Sequence, residues 1–359
     1  RNFMTSNKNK VYIIAEIGVN HNGSISLAKK LIKKAKECGA DAVKFQNFIT
    51  KNLVTINAPK AKYQIKNTNS KQNQFEMLKT LELKLKSYFI LKKFAKKNKI
   101  DFITSVFDEE SLIFVQNKLK NNIIKIPSGE LNNYLLLDKL NKKLKIIIST
   151  GMSTLPDIVK AINRIYKKEV YKLKNNKIIK KNKKLLNNIK NKINIMHCVT
   201  DYPVEYGYAN ILSVKYLSKS LGLNVGYSDH TSGVLAPVIA VSLGASIIEK
   251  HFTLNQKMKG PDHQASLNPK NFKIMCDYIR NTEVLMGKEE KKIQKCEQKN
   301  IKIAKKNIVA KKDIEKGERF TLYNITAKRP YIFLSPDKID QIINKKAKKK
   351  IKINEKIKI

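Results

Sequence analysis

Leu223-Asn-Val-Gly-Tyr-Ser-Asp-His230 and Ala245-Ser-Ile-Ile-Glu-Lys-His251 are the two stretches that decide the fold of this chain. Each is a mostly apolar run that ends close to an acidic residue and a histidine, and the residues between them have the pattern of one helix. A strand, a helix and a second strand in this order predict two neighbouring parallel strands whose C-terminal ends lie side by side. His230 and His251 would then converge, and two neutral imidazoles at one place are typical of a divalent-metal site.

The same strand-then-helix pattern recurs on both sides of this unit. Eight strand candidates lie at residues 11–17, 41–46, 101–105, 122–127, 144–150, 193–198, 223–227 and 245–250. A long polar loop follows the second candidate, and helical patterns at 108–119 and 132–140 follow the third and fourth. Eight such repeats predict a TIM (β/α)8 barrel. A doubly wound open α/β sheet is the alternative, but the glycine-rich first turn of that fold is missing.

The sequence also predicts how the chain divides into domains. The barrel is expected at residues 10–287, a charged linker at 288–300 and a small mixed domain at 301–359. The small domain has short strand candidates at 308–317 and 324–329, and the Lys/Ile alternation at 345–358 suits a further strand. Residues 166–192 are rich in lysine and asparagine, which predicts either an extended helix or a surface insertion before the sixth strand.

The net charge of +44 raises the question of a nucleic-acid partner. The basic residues are 68 lysines and only 5 arginines, and the lysines are spread over nearly every helical pattern. Base readout favours Arg, Asn and Gln side chains, and no nucleic-acid-binding motif is present. We therefore interpret the charge as a solvated surface that could help to steer anionic substrates, and we expect no specific nucleic-acid partner. A basic polyanion-binding protein remains the alternative of a different class.

The cysteine spacing and the hydropathy bear on the compartment. The four cysteines are far apart and form no CxxC pair, which is typical of a reduced, cytoplasmic protein. Residues 1–10 are polar and lack the apolar core of a signal peptide. No apolar run approaches the 18 residues of a membrane-spanning helix, so we expect no membrane association.

Polar residues follow the apolar body of each strand candidate, where a TIM barrel carries its chemistry. Two lysines and three serines at these ends suit a phosphate and a carboxylate: Lys44, Lys125, Ser105, Ser128 and Ser149. The serines and Gly151 precede helix N-termini, which favour anions. A small phosphorylated acid is therefore the expected ligand. Glu16 follows a mostly apolar run, where an unpaired carboxylate is costly, so we expect it to be functional.

The other histidines and one cysteine allow more than one interpretation. His197 is either a satisfied core residue or part of the site, and His21 is a capping group or a support for the site. His263 either contacts substrate or faces solvent. Cys198 is expected to be a core residue rather than a nucleophile, because its neighbours are apolar and no base is assigned to it.

Seven motifs, in their order along the chain, resemble those of the sialic acid synthases. They are Ile14-Ala-Glu-Ile-Gly-Val-Asn-His-Asn-Gly23, Asp41-Ala-Val-Lys-Phe-Gln46, Ile126-Pro-Ser-Gly-Glu130, Ser149-Thr-Gly-Met152, Gly226-Tyr-Ser-Asp-His-Thr231, Glu249-Lys-His-Phe252 and Gly260-Pro-Asp-His263. The tail from residue 308 to 358 resembles the antifreeze-like (SAF) domain of that family. The resemblance implies condensation of phosphoenolpyruvate (PEP) with N-acetylmannosamine, with release of phosphate.

The resemblance also implies roles for individual residues. His230 and His251 would hold a divalent metal, Mn²⁺ first and Mg²⁺ or Co²⁺ as alternatives, which would polarise the sugar aldehyde for attack by PEP. Glu16 would act near the reacting carbons. The residues expected to bind PEP are Lys44, Ser105, Lys125, Ser128, Ser149, Thr200 and Ser228. Those expected to bind the sugar are Gln46, Tyr202, Glu249, Asp262 and, across a domain-swapped homodimer, the partner subunit's Arg329.

Two other functions stay open within this resemblance. Legionaminic acid synthase is the alternative, with a 2,4-diacetamido-trideoxy-mannose in place of N-acetylmannosamine. Pseudaminic acid synthase is disfavoured, because Gly260-Pro-Asp-His263 is closer to the other two branches. The polyanion-binding alternative is disfavoured as well, because every catalytic position that the family implies is filled.

Overall fold

The computed structural model describes residues 10–68, 70–174, 177–331 and 333–357. The predictions that concern residues 1–9 and Lys358 lie outside this part of the chain. The chain separates into two compact units, one that ends at Gly287 and one that begins at Lys288. In the described residues, no helix combines the length and the hydropathy needed to cross a bilayer.

Eight parallel strands close into a barrel, which confirms the predicted TIM barrel and excludes the doubly wound sheet. The barrel strands are β1 (Tyr12–Gly18), β2 (Ala42–Asn47), β3 (Asp101–Val106), β4 (Ile123–Ile126), β5 (Lys145–Ser149), β8 (Ile193–Cys198), β9 (Asn224–Asp229) and β10 (Ile247–His251). Their order around the barrel is β1-β10-β9-β8-β5-β4-β3-β2. Since all strands run the same way, all their C-terminal ends meet at one mouth.

The barrel interior is built in layers because successive strand residues face opposite sides. The layer near the strand beginnings is apolar and consists of Tyr12, Ile14, Ala42, Ile103, Ile147, Met196 and Ile247. Two residues further along each strand the same inner face carries polar side chains, including Glu16, Lys44, Ser105 and Glu249. The apolar layer thus closes the barrel below the mouth and supports a polar layer above it.

Helices surround the barrel in the expected alternation. Their bounds are α1 (Ile25–Glu37), α2 (Thr50–Leu53), α3 (Lys62–Thr68), α4 (Gln74–Leu81), α5 (Leu85–Lys97), α6 (Glu109–Ile113), α7 (Tyr134–Leu137), α8 (Leu155–Tyr166), α9 (Lys183–Ile189), α10 (Ser213–Leu221), α11 (Leu235–Ser242) and α12 (Pro269–Leu285). At the bottom of the barrel, Arg280 of α12 donates to the Val11 carbonyl at 2.7 Å and to Asp41 Oδ2 at 2.6 Å. This contact ties the last helix to the beginnings of the first two strands.

Two predicted helices and one predicted loop differ from the structure. The polar loop after β2 contains α2, α3 and α4, of which α4 begins with a capping box between Asn73 and Glu76. The pattern at 108–119 is α6 followed by a π-helical turn at Phe114–Lys118. The helix predicted at 132–140 is only the single turn α7, which Asn133 caps through its side chain. Caps and turns, rather than hydropathy, set these boundaries.

Residues 166–192 form a surface insertion and not an extended helix. Helix α8 stops because Lys167 adopts a left-handed conformation, with φ of 50°. The chain then makes an antiparallel hairpin of β6 (Tyr171–Lys174) and β7 (Lys177–Lys180), followed by α9. Tyr171 anchors the hairpin through a hydrogen bond from its hydroxyl to the Leu221 carbonyl at 2.8 Å.

The second unit has its own small core and little regular structure. It contains α13 (Gln298–Ala304), which lies partly in the predicted linker, and an antiparallel pair of β11 (Asn307–Ala310) and β12 (Ile325–Lys328). Its buried side chains are Ile308, Ala310, Ile314, Phe320, Ile325, Leu334, Ile342, Ala347, Ile351 and Ile357. The strand predicted at 345–358 is absent from the described residues, where isolated bridges such as Ile314 to Ile351 take its place.

Candidate active site

Four charged side chains form a buried layer across the barrel. Lys44 Nζ lies 2.8 Å from Glu16 Oε2 and 3.7 Å from Glu249 Oε1. Lys125 Nζ donates to both oxygens of Glu249 at 2.8 Å. All four residues are at most 5% exposed. Two cations and two anions therefore satisfy one another in a region that water does not reach, as buried charges require.

The same layer shifts the pKa values of the two carboxyl groups in opposite directions. Burial raises the pKa of Glu16 to about 7, although Lys44 opposes this shift. Burial would also raise the pKa of Glu249, but Lys125 and Lys44 outweigh it and lower the pKa to about 2. Near neutral pH Glu249 is ionised, whereas Glu16 is poised between its two protonation states. Such a carboxyl group in a closed site suits proton transfer.

The hydroxyl groups that were predicted to bind an anion lie around this layer. Ser228 Oγ donates to Glu249 Oε1 at 3.0 Å, and Ser105 Oγ lies 3.4 Å from the Phe45 carbonyl. Ser149 is buried at the end of β5. Six of the residues predicted to bind PEP thus lie at one end of the barrel, on strands or in the turn after β4: Lys44, Ser105, Lys125, Ser128, Ser149 and Ser228.

A tight turn after β5 brings Ser128, Gly151 and Thr200 together. The Gly151 amide donates to Ser128 Oγ at 3.0 Å. A Cβ atom at Gly151 would lie 2.1 Å from Thr200 Oγ1 and 2.8 Å from Ser128 Oγ, so only glycine fits. The hydroxyls of Ser128 and Thr200 at this turn are suitable donors for a phosphate or carboxylate oxygen, and the Gly151 amide orients the first of them.

The two histidines converge as the sequence predicted. The rings of His230 and His251 have their centroids 5.5 Å apart, and the Tyr202 ring lies 4.1 Å from that of His230. Asp262 Oδ2 is 3.9 Å from Nδ1 of His251, and burial raises the pKa of Asp262 to about 6. Two imidazoles, a carboxyl group and a phenol therefore occupy one corner of the mouth.

The histidine pair suits a metal ion by its donor chemistry. His230 Nδ1 lies 2.7 Å from the Val199 carbonyl, so Nδ1 carries the proton and Nε2 keeps its lone pair in the neutral ring. Burial and then the neighbouring His230 hold the pKa of His251 well below its ordinary value. The buried Nδ1 of His251 has no hydrogen-bond partner. In the described ranges no three His, Cys, Asp or Glu side chains are arranged around a common ion, so other ligands would come from substrate or water.

Two residues predicted to bind the sugar, Glu249 and Gln46, contact the charged layer instead of the corner formed by Tyr202 and Asp262. Glu249 lies in the charged layer, bonded to Lys125, and Gln46 Nε2 lies 3.5 Å from Glu16 Oε1. Arg329 belongs to the second unit, where it is exposed beside a cavity that Asn307, Lys328 and Asn354 also line.

The other histidines and Cys198 are resolved by their contacts. His197 Nε2 bonds to the Ala209 carbonyl at 2.8 Å, so it is a satisfied core residue. His21 Nδ1 accepts from the Gly23 amide at 3.1 Å and supports its own loop. His263 is fully buried and bonds to Thr253, which excludes a solvent-facing role. Cys198 Sγ lies 3.8 Å from His230 Nδ1, so its surroundings are not purely apolar.

Sequence reasoning missed three residues at this mouth. Tyr63 of α3 packs its ring 4.9 Å from that of Tyr202, from a segment that was expected to be loop. Asp229 and Lys250 form a fully buried ion pair beside the two histidines. A lysine between Glu249 and His251, in a strand that is buried along its whole length, was the available signal, because a buried ammonium group needs a partner.

The arrangement can bind a dianionic phosphorylated acid, hold a Lewis-acidic ion and move a proton. Lysines and hydroxyls at the end of parallel strands supply the first capability. The imidazole pair supplies the second, and Glu16 the third.

The chain is similar to known proteins over most of its length. A model of the NeuB family matches residues 31–291, and a model of the SAF domain matches residues 306–358. The chain is 44% identical to the N,N'-diacetyllegionaminic acid synthase of Campylobacter jejuni, over 96% of this chain and 98% of the relative. It is 38% identical to the enzyme of the same name from Legionella pneumophila, over 92% and 89%. The crystal structure of an N-acetylneuraminic acid synthetase from Leptospira borgpetersenii superposes with a TM-score of 0.65, at 27% identity, over 82% of this chain and 90% of that chain.

Proposed function

The chain belongs to the NeuB family of sialic acid synthases, and from this we propose that it condenses PEP with a 2,4-diacetamido-trideoxy-mannose to form a legionaminic acid, with release of phosphate. The observation that carries the proposal is the paired layer of Lys44, Lys125 and Glu16 directly beside the convergent His230 and His251. A phosphorylated acid and an aldehyde-bearing sugar would meet there in one closed space.

The choice of sugar departs from the first expectation. The motifs alone favoured N-acetylmannosamine, whereas the two relatives described above support the diacetamido sugar better. N-acetylneuraminate synthesis remains the second candidate, because the structural neighbour described above carries that name. The two sugars share an aldehyde carbon and an acetamido group, so the same residues can serve the condensation step in either case.

We assign the handling of PEP to residues of the charged layer and the turn after β5. Lys44 and Lys125 neutralise the phosphate and carboxylate charges, while the hydroxyls of Ser128 and Thr200 donate hydrogen bonds. C3 of PEP is thereby held towards the sugar aldehyde and forms the new bond to the aldehyde carbon, while the aldehyde oxygen takes up a proton and positive charge develops at C2. Water adds to C2 and loses a proton, and cleavage of the C–O bond to phosphate then gives the keto acid. Glu16 stabilises the positive charge at C2 or accepts a proton from the water.

We propose that His230 and His251 hold a divalent metal, with Mn²⁺ as the first choice. The orphaned Nδ1 of His251 and the orientation of His230 by the Val199 carbonyl support this assignment. When bound, such an ion would supply Lewis-acid polarisation of the sugar's aldehyde oxygen. Tyr202 and Asp262 line the same corner and would orient the sugar next to it.

We further propose a domain-swapped homodimer in which Arg329 of one chain completes the sugar site of the other. The SAF domain at the C-terminus and the exposed position of Arg329 support this proposal. A guanidinium group could contact a sugar or a carboxylate through two parallel hydrogen bonds. We place the reaction in the cytoplasm, in keeping with four free thiols.

A substrate panel tests the function. Full-length enzyme is mixed with PEP, Mn²⁺ and either sugar, and phosphate release and the keto-acid product are measured. We expect kcat/KM for the diacetamido sugar to exceed that for N-acetylmannosamine by at least about tenfold, which corresponds to about 1.4 kcal/mol of transition-state discrimination. The reverse preference would select the second candidate. If neither sugar led to phosphate release, PEP condensation would be refuted. Equal rates in Mn²⁺ and in EDTA would refute the metal assignment.

A further inference from the structure

The residues next to the two converging histidines are bonded to one another. Asp229 and Thr231 flank His230, and Lys250 precedes His251. Lys250 Nζ donates to Asp229 Oδ2 and to the Thr231 carbonyl, both at 2.5 Å. We call these three residues the strand-end clamp. It joins the end of β9 to the end of β10, where Lys250 and Asp229 are register partners in the sheet.

Further contacts hold the clamp in place. Asp229 Oδ1 accepts from the Tyr227 hydroxyl at 3.0 Å and from the Thr231 amide at 2.8 Å. The side chains of Asp229 and Lys250 are both 0% exposed. In the described residues, the buried Asp229 carboxylate thus accepts from Lys250 on one oxygen and from Tyr227 and Thr231 on the other.

The clamp fixes the backbone that follows His230. Asp229 binds the amide that follows His230, and Lys250 binds the carbonyl of the same following residue. Lys250 is itself covalently next to His251, so a movement of either strand end would break at least one of these bonds. A chain that needed only stability at this place could use apolar side chains, since a buried ion pair is often no more stabilising than a well-packed apolar pair.

We propose that Asp229 and Lys250 are positioning residues that set the separation and orientation of the two imidazoles for metal binding. The inference rests on the proposed function, because it takes His230 and His251 as the metal ligands. In this role Asp229 and Lys250 touch neither the metal nor the substrate. They act through the backbone that carries the two histidines. The groups assigned to PEP lie on the inner face of the barrel, so the clamp should affect metal binding and leave PEP binding largely unchanged.

The test measures two binding constants on full-length protein by calorimetry, with MnCl₂ alone and with PEP alone. The variants are Lys250→Met, Asp229→Asn and the double variant Lys250→Met/Asp229→Asn. We expect the Kd for Mn²⁺ to rise about 10- to 100-fold in each, the usual effect of removing a support behind metal-binding histidines. We expect the Kd for PEP to change less than about threefold.

The double variant separates positioning from stability. Lys250→Met leaves a buried carboxylate without a partner, and the second substitution removes that charge, so the double variant should melt at a higher temperature than Lys250→Met. A positioning role predicts that Mn²⁺ affinity stays low despite this recovery. If the double variant recovered its Mn²⁺ affinity together with its melting temperature, the proposal would be overturned. Wild-type Mn²⁺ affinity in a folded double variant would overturn it in the same way. The double variant decides the question if Lys250→Met does not fold.

Arg280→Met is the matched control. It breaks the ion pair of Arg280 with Asp41 at the other end of the barrel and lowers stability without touching the clamp. Its Mn²⁺ affinity should equal that of the wild type; a comparable loss would attribute the clamp result to general destabilisation and overturn the proposal. Wild-type protein that binds no Mn²⁺ would instead refute the metal part of the proposed function, and the clamp inference with it.

Discussion

Glu16 and Glu249 share the same two lysines and differ in how many hydrogen bonds they receive. Glu249 accepts from Lys125 with both oxygens and from Ser228 as well, so its ionised form is well stabilised. Glu16 has one close ammonium group, Lys44 at 2.8 Å from Oε2, and a long contact of 3.5 Å from Gln46 Nε2 to Oε1. Burial therefore dominates at Glu16 and raises the pKa to about 7, while at Glu249 the lysines dominate. The first is suited to chemistry and the second to holding the lysines in place.

The first prediction concerns the pH dependence of Glu16. Both roles assigned to it require the carboxylate, so kcat should rise with pH and level off above the pKa of about 7. Glu16→Gln should lower kcat by about 100-fold or more, as expected for loss of a general base, and should remove this limb of the profile. Steady-state rates from pH 5.5 to 9 at saturating substrates check both points. A Gln variant that keeps the limb would assign the ionisation to another group.

The second prediction concerns Gly151 and tests whether the turn after β5 binds PEP. The added Cβ of Gly151→Ala would push Thr200 and Ser128 apart, and overpacking of this kind costs about 1–3 kcal/mol. We expect the KM for PEP to rise at least about tenfold with a smaller effect on the sugar KM. Gly129→Ala is the control, because nothing lies within 4 Å of its added Cβ. Equal effects of the two substitutions would mean that the turn does not bind PEP.

At the scale of elements, the strands were easier to predict than the segments between them. Apolar runs that end in Glu16, Lys44 or His251 located both the barrel strands and the mouth, because burial and chemistry leave separate marks along one strand. The helix that carries Tyr63 lies in a polar stretch, so hydropathy could not find it. The hydrogen bonds of Lys250 join two strands and depend on register, which no single segment encodes. The ion pair of Glu249 with Lys125 likewise depends on the position of another strand, and the sugar-binding role of Glu249 stays a prediction.

The loop between β1 and α1 should make the barrel sensitive to acid. Burial lowers the pKa of His21 from 6.5 to about 4. The unfolded chain therefore binds the proton more readily, so the stabilisation is complete above pH 6.5 and is lost as the pH falls towards 4. Between pH 7 and 5 this group alone should remove about 2 kcal/mol from the free energy of unfolding.

His21→Gln isolates this contribution. The variant should lose less stability than the wild type between pH 7 and pH 5, because glutamine does not titrate. Urea unfolding followed by far-ultraviolet circular dichroism is the measurement, since the chain has no tryptophan to report by fluorescence. Identical losses in wild type and variant would show that His21 is protonated as easily in the fold as in the unfolded chain.

At the scale of the whole molecule, the charge of +44 is compatible with the proposed enzyme. Both proposed substrates of the first step are anionic or neutral, and a positive field raises the encounter rate of an anion such as PEP. The lysines that define the site are the buried Lys44 and Lys125, whereas most others are exposed. Exposed lysines alone predict weak, non-specific attraction to polyanions.

This charge leads to a prediction about salt. Duplex DNA of arbitrary sequence should bind at low ionic strength and dissociate near physiological salt, because release of counterions is the only driving force. Fluorescence anisotropy between about 20 and 200 mM NaCl measures the slope. Tight binding that persists at the upper concentration would revive the polyanion-binding alternative.

The last prediction concerns the second unit and its exposed Arg329. If this residue reaches the sugar site of a second chain, Arg329→Ala should raise the sugar KM at least about tenfold, because a charge-assisted pair of hydrogen bonds is lost. PEP binding should stay near the wild-type value, since Lys44 and Lys125 remain. Arg329→Lys should recover only part of the loss, because an ammonium group cannot form the planar two-bond contact. Arg319→Ala removes the same charge from the same unit and should leave the KM unchanged.

Sedimentation of the wild type as a dimer, together with restored activity in mixed dimers of Arg329→Ala and Glu16→Gln subunits, would establish that Arg329 acts across subunits. An unchanged sugar KM in Arg329→Ala would count against the swapped dimer, because no other role assigned to this exposed side chain depends on the sugar.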